Sequence, residues 1–358
     1  MVQRIRGYDL TRTFAVIIVF VAHIVLSQCD NRYSTIVFTS ISPGLTMSLL
    51  AFISASLLTD NKLIENNFSI FFFRRLTRIY IPVILCLTFA VTLSKFYGLK
   101  IQVDSLIYNY LGIGLFFDWL KVPNNASVGW GLWFVTAILI MYILLPVLKL
   151  VFKHKNGTLH FILLYLFCII VNIITMPTET SFWNIAISFS LGVYLSTNDL
   201  LSKVLNTKLK LAIPLAFLIL TACALSSSGI INFDIRKLIF PLYPIAFIPL
   251  FFRLSNVLPR FLERFIKKFS EISFEFYILQ FYFINGPFKL IFGDNFSLLA
   301  QIIIGFLADL FVAVILAEIG NGLRKAIESY FDLDKTVSKN DAVESVDIER
   351  GACAFLLE

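Results

Sequence analysis

Charge is scarce in this sequence. Asp, Glu, Lys and Arg make up 15% of its 358 residues, against roughly 25% in soluble domains. Length alone would allow two soluble domains, and this composition speaks against them. Histidine occurs three times and cysteine five times. The cysteines (Cys29, Cys86, Cys168, Cys223, Cys353) are scattered and follow no paired spacing. They imply neither a disulfide framework nor a zinc site, so no metal is expected. There is no Walker loop, no GxGxxG and no internal repeat visible by eye. A small-x-small cleavage site is also missing after the apolar run from Phe14 to Leu26, which leads into Ser27-Gln28-Cys29-Asp30. The first apolar run is therefore expected to be a retained helix, not a cleaved signal peptide.

Apolar side chains take the place of charge. The sequence is 58% hydrophobic, contains 38 Phe and has a mean hydropathy of +0.84. A membrane-spanning helix needs about 20 mostly apolar residues, and such windows recur along the chain. They fall at roughly 10–29, 38–58, 79–97, 130–152, 159–176, 181–197, 209–226, 237–252, 272–292 and 297–322. The expected fold is an all-α integral membrane bundle of about ten transmembrane helices, because helices satisfy their own backbone groups in lipid. The short alternating segments of a β-barrel are absent. Residues 104–120 are apolar but short, with two Gly and two Asp, and read as a re-entrant or interfacial helix.

Lysine and arginine set the orientation. With the N-terminus inside and spans alternating, twenty-one of these residues fall inside and five outside. Both the N- and C-termini are then cytoplasmic. The net charge of +7 becomes a topology signal, and no nucleic-acid partner is expected. Residues 1–325 read as one transmembrane domain and 326–358 as a polar, loosely ordered cytoplasmic tail.

Few residues in such a chain can do chemistry. Arg12 and His23 are eleven residues apart, about 20° from three full helical turns, so they share a face of the first helix. Arg12 would lie near the cytoplasmic surface and His23, roughly 16 Å deeper, near mid-membrane. A mid-membrane histidine marks a functional site by default; the alternative is a packing histidine bonded to a backbone carbonyl. His154 and His160 fall near a cytoplasmic turn and read as surface residues. Arg75 and Arg78 are neighbours on one helix face. Arginine forks suit phosphate, and such a pair equally suits ordinary positive-inside flanking. Asp9 lies one turn from Arg12 and can pair with it.

The ordered set of motifs resembles the integral-membrane acyltransferase type 3 family. Its hallmarks correspond to Arg12 and His23 in the first helix and to Arg75-Leu76-Thr77-Arg78 at the start of the third. Trp130-Gly131-Leu132-Trp133-Phe134-Val135, running through Tyr142 to Pro146, is similar to the family's fourth-helix region. Leu191-Gly192-Val193-Tyr194-Leu195 and Ile272 to Leu279 resemble two later signatures, and Glu318 the family's terminal glutamate. Where the family often has histidine after the Tyr-x-Leu run, this chain has Gln280. Glutamine hydrogen-bonds but cannot titrate, so it is expected to be a polar contact at most.

The resemblance implies an O-acyltransferase, usually an O-acetyltransferase, of a bacterial cytoplasmic (inner) membrane. The donor would be acyl-CoA, typically acetyl-CoA, held as a substrate and not as a bound cofactor. The acceptor would be a hydroxyl of a cell-surface polysaccharide or its lipid-linked precursor. On that reading Arg75 and Arg78 bind the phosphates of CoA. His23 acts as base toward the sugar hydroxyl, or takes the acyl group as an acyl-imidazole. Arg12 orients the histidine face, binds CoA or stabilises an oxyanion. Asp9, Trp133, Gln280 and Glu318 are supporting candidates. Trp119, Trp130, Trp133 and Trp183 would lie toward the outer side, as sugar platforms or as an interfacial belt. The alternative is a polytopic flippase or transporter, or a polymerase, of the same glycan pathways. Transporters often show internal repeats and broken helices.

Overall fold

A computed structural model describes residues 6–28, 36, 41, 44–120, 132–175, 182–228, 230, 236–285 and 296–331. Among them every regular element is helical. The longer helices are α1 (Arg6–Gln28), α2 (Gly44–Thr59), α4 (Phe68–Phe96), α7 (Trp133–Lys153), α8 (Gly157–Thr175) and α9 (Phe182–Thr197). They continue with α11 (Leu209–Ser227), α13 (Tyr243–Ser255), α14 (Arg260–Asn285) and α15 (Leu298–Tyr330). Short helices fill the connections: α3 (Leu63–Asn66), α5 (Val103–Tyr110), α6 (Gly114–Trp119), α10 (Leu201–Leu205) and α12 (Arg236–Ile239).

Six helices among the described residues are long and apolar enough to cross a membrane: α1, α4, α7, α8, α11 and α15. Two more, α2 and α13, are apolar but shorter. The expected spans 38–58 and 237–252 coincide with these, and 181–197 with the 16-residue α9. The span 272–292 runs into residues 286–295, outside the described part.

Helix starts differ most from expectation. Hydropathy puts the third span at 79–97, whereas α4 begins at Phe68, so the arginines lie inside a continuous helix rather than at its mouth. Asn67 caps it, accepting from the Ile70 amide at 3.1 Å, and so satisfies one of the free N–H groups of the first turn. α14 likewise begins twelve residues before its apolar part. Both extensions are amphipathic and charged, and a hydropathy window does not report them. α15 runs to Tyr330 and so past the expected domain boundary at 325. The segment 104–120 forms two short helices, α5 and α6, separated at Gly112 with φ +65°, a backbone region that glycine reaches without steric cost.

Lateral position follows from burial. The apolar window of α1 is 67% buried, those of α8 and α11 only 22%. α1 is therefore central, and α8 and α11 present Leu163, Phe167, Phe217 and Leu218 outward as a lipid-facing surface requires. α2 and α9 approach each other closely at Gly192. An added Cβ on Gly192 would lie 2.8 Å from both the Phe52 carbonyl and the Ala55 Cβ. Small residues at that spacing let membrane helices approach without a side chain between them.

Candidate functional site

α1 and α14 run side by side and in the same direction. Arg6 Nε meets Glu263 Oε1 at 3.0 Å, and Arg12 Nη1 donates to Ser270 Oγ at 2.9 Å. Further along, Phe20 packs on Phe276 and His23 on Phe281. The pairs keep nearly the same sequence offset along both helices. The face shared by Arg12 and His23 is thus the face that α14 covers.

At the first end of this seam Asp9, Arg12 and Ser270 form a closed cluster. The Ser270 hydroxyl donates to Asp9 Oδ1 at 2.8 Å, and Arg12 Nη1 lies 3.7 Å from the same oxygen. The expected pairing of Asp9 with Arg12 is present, with a serine from another helix between them. Asp9 is buried, while Arg12 keeps 30% of its side chain exposed, so the guanidinium is held on one side and open on the other.

At the second end the His23 ring lies 4.6 Å from the Phe281 ring, tilted by 58°. Its Nδ1 is buried and has no hydrogen-bond partner; the backbone-bonded packing histidine is therefore not what forms at Nδ1. Gln280, the residue before Phe281, is fully buried, and neither atom of its amide has a partner. One turn before Gln280, Tyr277 packs edge-on to Phe134 of α7, and Phe134 packs on Trp133. Trp133 thus connects to this end through Phe134 and Tyr277.

The arginines form a second centre between α4 and α15. These helices are antiparallel neighbours: Phe73 packs on Phe331, and Gly320 lies against Ile81 and Leu85. Arg75 lies over the Phe71 ring at 5.6 Å, and its buried Nε has no hydrogen-bond partner. It is within electrostatic reach of Arg74, Arg78 and Tyr142. Arg78 is within reach of Arg74, Tyr142, Arg324 and Glu328. The Tyr142 hydroxyl is hydrogen-bonded to Ser54 at 2.6 Å. The sequence pair has become a group of four guanidinium groups, with the carboxylates Glu328, near Arg78, and Glu275, near Arg324, among its charged neighbours. Like charges held close repel, and an anion relieves that repulsion.

Other candidates lie elsewhere. Glu318 is on an exposed position of α15. Trp119 and Trp183 come together through Phe182, with ring separations of 5.3 and 5.2 Å, while Trp130 lies outside the described residues. No cluster of three or more metal-ligating side chains occurs among the described residues.

The acyltransferase 3 family model, an acyltransferase domain, matches residues 5–318. The chain belongs to the acyltransferase 3 family. No curated protein and no solved structure matches it. The match takes in both centres up to Glu318 and leaves Arg324 and Glu328 just beyond it. As an acyltransferase 3 protein with several membrane-length apolar helices, it is a multi-pass membrane protein of an acyltransferase family.

Sequence reasoning missed Ser270, Arg324, Glu275 and Asp309. Ser270 carries no signal without a partner. Arg324 reads in the sequence only as a topology charge. Glu275 and Asp309 fall within the expected spans 272–292 and 297–322, where an ionisable residue by itself marks a candidate site.

Proposed function

We propose that this chain is a membrane O-acyltransferase, with acetyl the expected group, that uses acyl-CoA as donor and a hydroxyl of a cell-surface polysaccharide or its lipid-linked precursor as acceptor. The observation that carries the reading is the gathering of Arg74, Arg75, Arg78 and Arg324, more guanidinium groups than neighbouring carboxylates among the described residues, in a chain of an acyltransferase family. Coenzyme A presents phosphates at one end and a thioester at the other. Guanidinium groups bind phosphate through bidentate, charge-assisted hydrogen bonds.

In this mechanism the arginines hold the phosphates and the extended arm brings the thioester to His23. The histidine takes the proton of the attacking hydroxyl, or attacks first to form an acyl-imidazole. Arg12, anchored by Asp9 and Ser270, supports the seam that presents the histidine. The positive-inside count puts the arginine centre on the cytoplasmic side of a bacterial inner membrane, where acyl-CoA is found, with both termini on that side.

The test is mass spectrometry of surface glycans from cells with and without the gene. An acyl mass that depends on the gene and disappears in His23→Ala and Arg75→Ala cells is the expected result. Unchanged acylation with altered glycan amount or chain length would replace the transferase by a flippase or polymerase.

A further inference from the structure

α14 has two unlike parts. From Ile272 on it is mainly apolar, whereas its first turns carry Arg260, Glu263, Arg264, Lys267, Lys268 and Glu271. One side of those turns is packed. Ile266 and Phe269 are buried, the Ile266 carbonyl accepts from Thr13 of α1, and Phe269 stacks on Phe306 of α15. The opposite side is exposed. Phe261, Arg264, Phe265 and Lys268 follow one another at spacings of three, four and seven residues from Phe261, so they share one helix face. All four are exposed, Phe261 by 74% and Phe265 by 40%. The turn that leads into the helix also exposes Val257.

Such a face suits neither water nor lipid tails. Water disfavours the exposed rings, and hydrocarbon disfavours the charges. The layer that accepts both is the headgroup zone, where rings enter among the first acyl carbons and cations meet phosphate. α1 fixes the depth. Its membrane-length segment starts at Arg6, and α14 runs beside it, with Glu263 against Arg6 and Ser270 against Arg12. The exposed face therefore flanks the first turns of a membrane-length helix, where the hydrocarbon begins. Charge selects the kind of lipid. Arg260, Arg264, Lys267 and Lys268 are exposed together with one exposed carboxylate, Glu271, while Glu263 is bonded to Arg6. A zwitterionic headgroup brings its own cation, which these side chains repel; a headgroup of net negative charge brings none.

We propose that the exposed face of the first turns of α14 is a binding site for an anionic phospholipid, with Arg264 and Lys268 on the phosphate and Phe261 and Phe265 among the first acyl carbons. This rests on the chain being a membrane protein and not on acyl transfer. Ser270 and Phe281 of the same helix meet Arg12 and His23, so a lipid held here also steadies the seam between α1 and α14.

Native mass spectrometry of the full chain in a neutral detergent, with phosphatidylglycerol or phosphatidylcholine added, measures the affinity for the first lipid bound. The wild type is expected to bind phosphatidylglycerol several-fold more tightly than phosphatidylcholine. Arg264→Gln combined with Lys268→Gln is expected to lower the affinity for phosphatidylglycerol about fivefold for each charge removed and to leave phosphatidylcholine unchanged. Phe261→Ser combined with Phe265→Ser is expected to weaken both lipids alike. Lys208→Gln combined with Lys210→Gln removes two exposed cations at the start of α11 and is expected to keep the wild-type preference. All six positions are exposed, so the fold is expected to be kept in each variant. Equal affinity of the wild type for the two lipids overturns the proposal. An equal loss in the α11 pair also overturns it, because the preference would then be a diffuse effect of net charge. Displacement of the lipid by inorganic phosphate overturns it as well, by making this a site for a free anion.

Discussion

His23 meets Phe281 ring against ring at 4.6 Å, and eleven residues earlier Arg12 meets Ser270 at 2.9 Å. The two members of the sequence motif therefore address one helix, α14, at two points also eleven residues apart. α1 and α14 pack in the same direction, so the spacing in one helix is copied in the other.

Ser270 tests the first of these points. Ser270→Ala removes the hydroxyl that accepts from Arg12 and donates to Asp9. A loss of about 1 kcal/mol in stability is expected, read as a lowered unfolding midpoint in detergent, with donor binding unchanged. Arg12→Ala removes the guanidinium beside the buried Asp9 and is expected to cost more, about 3 kcal/mol. Equal losses in the two variants would show that the serine, not the charge pair, holds this end.

The arginine centre is tested by donor affinity. Arg75→Ala and Arg324→Ala are each expected to raise the KM for acetyl-CoA about tenfold or more, the loss of one charge-assisted contact, with little change in kcat. Arg75→Lys keeps the charge and loses the fork, and is expected to recover only part of the affinity. An unchanged KM in Arg324→Ala would remove α15 from the donor site.

Gln280 separates packing from function. Its amide is buried and unpartnered, so Gln280→Leu removes an unsatisfied group with little change in volume. Stability equal to or above the wild type is expected, by thermal unfolding. If activity falls in the same variant, the amide contacts substrate or water in the working state.

Gly192 bears on the fold alone. Gly192→Leu places a side chain where a Cβ already lies 2.8 Å from the Phe52 carbonyl of α2. A loss of about 3 kcal/mol or failure to accumulate in the membrane is expected, while Gly322→Ala, at an open position of α15, is neutral. This close approach gives the Leu191–Leu195 signature a structural reason.

Glu65, in the short helix α3, gives a pH dependence outside the membrane helices. Its carboxylate bonds to Lys149 at 2.9 Å, which lowers its pKa. A lowered folded-state value contributes stability above the ordinary carboxylate range, and that contribution is lost as pH falls through the lowered value. Glu65 is largely exposed, so the effect is small and screened by salt. Glu65→Gln is expected to lower the neutral plateau of a stability-against-pH curve slightly at low ionic strength and to flatten its acid limb, the two curves meeting at low pH.

Much of the architecture is legible in the sequence because hydropathy reports what lipid demands. Apolar windows located the six membrane-length helices, and Gly and Asp marked the broken segment at 104–120. What was not legible is pairing. Nothing in the order of residues says that α15 returns to α4; the packing of Gly320 against Ile81 and Leu85 is what brings Arg324 to the arginine centre. The early starts of α4 and α14 escaped because charged helical turns resemble loops to a window that counts only apolar side chains. Arg12 and His23 were legible as one face, since helical geometry alone fixes that. Ser270 and Phe281, which cover the face, were not.

Two rods pinned to each other at both ends cannot slip by a turn. Arg6 on Glu263, Arg12 on Ser270 and His23 on Phe281 pin α1 to α14 in that way, and they make the separation of about 16 Å between Arg12 and His23 a constant of the molecule. The seam is in effect a ruler. In the proposed transfer the reacting ring is thereby held at one depth, and donors are sorted by whether their arm reaches it as well as by the chemistry of their ends.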